Sequence, residues 1–192
     1  MTVNCISAFP SPILQFGVDG FKEQRDHVVE NIYCMMDTTE SVSYSNEGGW
    51  QSPKQQPTPK ILFNTIDSIM TQFLNEEMNY SIGNVWFNVN SEGSFNHKHS
   101  HPCCDLAAVF YVKVPEGDCG RLEIENPNYF NQVKLLDAMK PDIKENMVAF
   151  TSMWLNPVEG CGFIFPSHLL HRVSKNNTKE DRISISWNMH VN

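Results

Sequence analysis

Two stretches in the first part of the chain repeat apolar residues at helical spacing. From Phe21 to about Met36, the set Phe21, Val28, Val29, Ile32, Tyr33 and Met36 marks one face of an amphipathic helix. A second helix is predicted from Thr58 and Pro59, a capping hydroxyl followed by proline at the first helical position. Its stripe is Ile61, Leu62, Ile66, Ile69, Met70, Phe73, Leu74 and Met78, and it is expected to lie on a sheet. Past Tyr80 the period shortens to two. Segments 82–90, 106–114, 120–127, 147–155, 162–166, 171–175 and 182–191 are rich in β-branched and aromatic residues. Gly, Pro and Asn punctuate them, and they read as short strands. The first dozen residues, with Pro10 and Pro12, read as an extended lead-in or edge strand. Residues 130–140 read as a short helix or loop.

Many short strands at this spacing point to a mainly β fold with flanking helices, of the α+β class. The expected form is a jelly roll with two N-terminal helices packed on one sheet. Two helices alone cannot bury their faces, so residues 1–192 are expected to form a single domain. Residues 1–80 would be helical support and loop, and 81–192 the β core. Residues 38–57 are polar and rich in turn formers, and a loop of that length inside a compact domain is usually functional or mobile. Trp50 is its apolar outlier.

Composition narrows the classes. With 41% hydrophobic and 19% charged residues, the chain is globular rather than disordered. At 192 residues it buries about 70% of its unfolded surface, enough for a core without disulfides. Its six cysteines form no CxxC pair and are expected to be reduced thiols in a cytoplasm. Cys103 and Cys104 are expected to be packing residues. No run approaches the ~20 apolar residues of a membrane span, and the first residues hold no basic leader or long apolar run, so no secretory signal is expected. A net charge of −8 without a basic cluster argues against nucleic acid as a partner. Exposed edge strands leave a homodimer as an open expectation.

The histidines carry the chemistry. His97, His99 and His101 alternate in FNHKHSHPCCD, so an extended backbone presents them on one face. His168 and His171 follow about seventy residues later in FPSHLLHR. An H-x-H pair with a distant third imidazole is a metal-site layout, suited to iron, zinc, copper or nickel. The plainer alternative is a solvated loop. Arg182 opens the apolar-alternating strand RISISWN, with Ser184 and Ser186 on its face. A buried arginine needs an anion, and its planar fork suits a carboxylate. That anion could be a bound diacid or a protein carboxylate such as Glu123 or Glu125.

At these residues the chain resembles the 2-oxoglutarate/Fe(II)-dependent oxygenase superfamily. In particular it resembles the small phage and bacterial group related to prolyl hydroxylases. The motifs are GGWQS, VWFNVN, HKHSHP, AVFYVKVPEG, GRLEIENP, FPSHLLHRV and DRISISWN, in family order from residue 48 onward. The resemblance implies a double-stranded β-helix and an enzyme that uses Fe(II), 2-oxoglutarate and O2, with ascorbate as an accessory reductant. Such an enzyme would hydroxylate a substrate, a prolyl or other peptide residue or a small molecule, and release succinate and CO2. It also implies a cytoplasmic setting, that of the host if the gene is a phage's. By motif position, His99 and His171 match the two metal histidines, and His101 stands where the acid usually does. Asp105 or His97 provide alternative registers. Arg182, Ser184 and Tyr111 match residues that bind the far carboxylate of 2-oxoglutarate. Trp86, Asn88 and Asn188 are expected near the mouth, and Trp50 as a lid, a substrate contact or a tucked turn residue.

Two other readings stay open on the sequence. One is a cupin-type metalloprotein without 2-oxoglutarate, which would have no need of Arg182. The other is a non-catalytic β-sandwich interaction module with surface histidines.

Overall fold

The computed structural model describes residues 11–54, 56–57, 59–128 and 134–192. Cys5, the Pro10 end of the lead-in, the Thr58 cap and residues 130–133 lie outside them.

Eleven strands form two antiparallel sheets among the described residues. The larger sheet runs β1 (Leu14–Gly17), β9 (Cys161–Pro166), β6 (Leu106–Lys113), β11 (Arg182–Val191), β4 (Tyr80–Asn90), β3 (Trp50–Gln51). The smaller runs β2 (Asn46–Glu47), β5 (Phe95–His99), β10 (His171–Val173), β7 (Leu122–Glu125), β8 (Ser152–Leu155). With its flanking helices this is the mixed α+β, two-sheet fold that the strand pattern predicts.

Helix α1 (Phe21–Thr38) starts after Gly20, whose left-handed backbone (φ 71°) turns the chain out of β1. It buries Phe21, Val28 and Ile32. Helix α2 (Lys60–Phe73) buries Leu62, Ile66 and Met70, one residue per turn on a single stripe. Both stripes pack on one face of the larger sheet, against Val85, Phe87 and Val89 of β4, Phe110 and Val112 of β6, and Ile183, Ile185, Trp187 and Met189 of β11. Alternation sends the intervening residues to the opposite face, between the sheets. There Trp86, Asn88, Asn90, Arg182, Ser184 and Ser186 surround a cavity. One face therefore holds the helices and the other faces a polar interior.

Three expectations change. Pro59 occupies the N-cap position of α2 rather than its first turn. The strand expected over 147–155 is confined to β8, because helix α4 (Pro141–Met147) follows the short α3 (Leu135–Ala138) and ends at Val148 in a left-handed turn (φ 50°). The polar stretch 38–57 carries β2 and β3, which pair with β5 and β4 and so link the two sheets. Trp50 is buried there, and its indole N–H donates to the Thr39 carbonyl (2.9 Å). It is a core residue and not a lid.

Candidate metal centre

Strands β5 and β10 lie side by side with His99 opposite His171. Beyond β5, the His101 N–H donates to the Ser167 carbonyl (2.9 Å), which draws that segment over the turn before β10. Three imidazoles meet as a result. Their ring centroids are 4.3 Å apart for His99–His171 and 5.1 Å for each pair with His101. One nitrogen from each ring lies within 4.8 Å of the others.

The backbone also sets the tautomers. Nδ1 of His99 meets the His97 carbonyl (2.7 Å) and Nδ1 of His171 meets the Leu169 carbonyl (2.9 Å). A carbonyl only accepts, so each Nδ1 carries the proton and each Nε2 keeps a free lone pair. Burial disfavours the charged rings, and for His101 and His171 repulsion from His99 adds to it. His171 is pushed down to about 3, His101 down to about 4, and His99 below its ordinary value. Three neutral imidazoles with converging lone pairs are a donor set for a divalent transition metal.

Neither alternative register joins this cluster. The Asp105 carboxylate accepts the Val191 N–H (2.9 Å) and lies at the exposed end of β11. His97 is mostly exposed, faces Glu47 (3.5 Å) and packs on Phe95.

Arg182 stands at the start of β11 and is 2% exposed. Its Nη1 donates to the Cys119 carbonyl (2.6 Å), while Nε is buried with no partner. No carboxylate pairs with it among the described residues: Glu123 is taken by Arg172, and Glu125 by Lys98. Burial lowers the guanidinium's affinity for its proton, and the facing Tyr111 phenol counters part of this. A bound anion would relieve that cost. Gly120 lets the guanidinium seat here. Its φ is +86°, and a Cβ would come within 2.6 Å of Nη1 and run into the Ser174 carbonyl. Ser184 lies opposite Tyr111 on β6 and Asn88 on β4. Burial pushes the Tyr111 phenol up to about 12, so it stays a neutral donor.

The three histidines, Arg182, Ser184 and Tyr111 line one inner cavity of about 60 Å³. Outside it lies a cleft of about 390 Å³, and Ser45, Trp86, His99 and His101 belong to the walls of both. Of the expected mouth residues, Trp86 and Asn188 line the cleft, and Asn88 lines the inner cavity. Asn90 and Asn96 also line the inner cavity and Lys54 the cleft, none of them expected from the sequence. For Asn90 the signal was present, as polar residues alternate through the apolar strand VWFNVN. The described cysteines are all free thiols.

This two-sheet fold, with imidazoles at one end and a buried arginine behind them, is that of the 2-oxoglutarate oxygenases. The family described as "Putative 2OG-Fe(II) oxygenase" matches residues 84–188, and the chain belongs to that family. No curated protein sequence matches it. Among solved structures it is similar to a prolyl-4-hydroxylase from Pseudomonas putida (14% identity, 93% of this chain and 92% of that one, TM-score 0.61). It is also similar to a Trichoplax adhaerens prolyl hydroxylase solved with a hypoxia inducible factor peptide (13%, 92% and 82%, 0.62). A third is HygX from Streptomyces hygroscopicus, which holds nickel and 2-oxoglutarate (11%, 94% and 83%, 0.61). No helix among the described residues is long and apolar enough to cross a membrane.

Proposed function

We propose that the protein is an Fe(II)- and 2-oxoglutarate-dependent oxygenase that hydroxylates a C–H bond of its substrate. His99, His101 and His171 hold the metal, and Arg182, Ser184 and Tyr111 bind the far carboxylate of 2-oxoglutarate. The observation that carries this reading is Arg182, a buried cation with no acid partner among the described residues, in the cavity the histidines share. When bound, iron, 2-oxoglutarate and O2 supply an oxidative decarboxylation that yields succinate, CO2 and the oxidising equivalent for the substrate.

The chain's own residues bind and orient. The backbone carbonyls of His97 and Leu169 fix two rings with Nε2 inward. Because all three donors are neutral, they leave the metal's double charge undiminished to attract a dianion. The Arg182 fork offers parallel N–H donors to a carboxylate, and the Ser184 hydroxyl and Tyr111 phenol add two more. The low-dielectric cavity strengthens each of these contacts. Trp86, beside the His101 ring (5.9 Å), helps keep water from the metal side. The prolyl hydroxylases among the similar folds make a prolyl or other peptide residue the first substrate class to test.

The experiment is anaerobic titration of Fe(II) and 2-oxoglutarate. A visible charge-transfer band is expected, and succinate on admitting air. Arg182→Met should weaken 2-oxoglutarate binding about 100-fold, the loss of strong charge-assisted bonds, while Fe(II) binding is kept. No band and no succinate from the unmodified chain would overturn the proposal. A metal site without 2-oxoglutarate chemistry would still bind Fe(II) in that test.

A further inference from the structure

The outer cleft runs against the net charge of the chain. The protein carries 22 acidic against 14 basic residues, yet no aspartate or glutamate lines this cleft. Two lysines do, Lys54 and Lys98. Lys98 is taken by Glu125 (2.6 Å), and Glu47 faces His97. Lys113 and Lys179 pair with Glu180 and Glu92. Lys54 has no acid partner among the described residues. Aromatic rings hold it instead: its Nζ lies 4.4 Å from the Tyr44 ring centre and 5.9 Å from that of Trp86. It is half-buried, and its charge reaches His101. Asn188, which also lines the cleft, has a buried Oδ1 with no partner.

A cation braced by rings keeps its N–H donors free. We infer that the cleft binds a substrate carrying an anionic group, a carboxylate or a phosphate, which Lys54 receives while the adjoining carbon is held beside the histidines. The Trp86 ring offers a flat wall to the body of that substrate, and the Asn188 amide a hydrogen-bonding group. The inference rests on the oxygenase reading for the word substrate, and on the cleft alone for the anion.

Calorimetry on the full chain tests it, with hippurate and phenyl phosphate as anionic probes and hippurate methyl ester as the neutral one. Each is titrated into protein loaded anaerobically with Fe(II) and 2-oxoglutarate, and into metal-free protein. The anions should bind at least about tenfold tighter than the ester, the worth of a hydrogen bond to a charged group. Added salt should shrink that advantage. Lys54→Met should abolish it and Lys54→Arg should keep it, with the charge-transfer band intact in both. Whichever anion binds tighter assigns the group as carboxylate or phosphate. Equal binding of ester and anions, or an undiminished advantage in Lys54→Met, overturns the inference. So does loss of the band in Lys54→Met, which would give the lysine to 2-oxoglutarate. Absence of the band in the unmodified chain instead counts against the oxygenase reading, and the metal-free titration still decides the cleft.

Discussion

His171 is 5% exposed, with its Nδ1 bound to a backbone carbonyl and two imidazoles for neighbours. Protonating it in place places a charge in a dry site beside rings that would also resist charging. In the unfolded chain the same ring titrates near 6.5. Between that value and about 3 the unfolded state therefore binds more protons than the folded one. The metal-free protein should hold its stability above pH 6.5 and lose it progressively on acidification toward pH 3. Each depressed histidine contributes a slope of up to about 1.4 kcal/mol per pH unit. Urea midpoints across pH 4–8 check this, with His171→Gln as the comparison. Equal slopes in the two proteins would mean that the ring is solvated.

Strands carry the site, and the strands were the legible part of the chain. Period-two alternation marked β4, β6 and β11, but the H-x-H spacing told less: β5 ends at His99, His97 on that strand stays exposed, and His101 joins through its bond to Ser167 beyond the strand. Arg182 was conspicuous because it opens an apolar strand. The pairs β2 and β3 were not legible. Each is two residues long and finds its partner far along the chain, Asn46 opposite Asn96 and Trp50 opposite Val89. Such pairing leaves no local pattern. Lys54 was missed for a similar reason, since nothing in its neighbours announces the two rings that fold against it. Trp50 shows what the hidden pairing is for: it adds an indole to the core shared by the helices and the larger sheet. Trp50→Ala should cost about 3–5 kcal/mol, the usual range for removing a buried aromatic. Metal and 2-oxoglutarate affinities, measured well below the lowered melting temperature, should stay near those of the parent chain. A stable variant with impaired binding would return Trp50 to the mouth of the site.

In the molecule as a whole, the proposed metal donors and the proposed anion donor come from different sheets. His99 and His171 belong to the smaller sheet, Arg182 and Ser184 to the larger. A ligand bound only to the folded state stabilises it by about 2.7 kcal/mol at a hundredfold excess over its dissociation constant. Zn(II) or anaerobic Fe(II) should therefore raise the melting temperature. It should also slow amide exchange in β5 and β10 more than in β11. Adding 2-oxoglutarate should then extend the protection to β11. Uniform protection by metal alone would count against this division.

The two-faced burial of β11 bears on how such a chain can change over generations. Exchanges at Ile183, Ile185, Trp187 or Met189 strain the helix-facing core, whereas those at Arg182, Ser184, Ser186 or Asn188 alter the chamber or its mouth. Loss of a single codon within the strand would exchange the two sets, thrusting a guanidinium among aliphatic neighbours and isoleucines toward the imidazoles. Point substitutions can drift independently on either side of this ribbon, while insertions and deletions inside it strike folding and chemistry together.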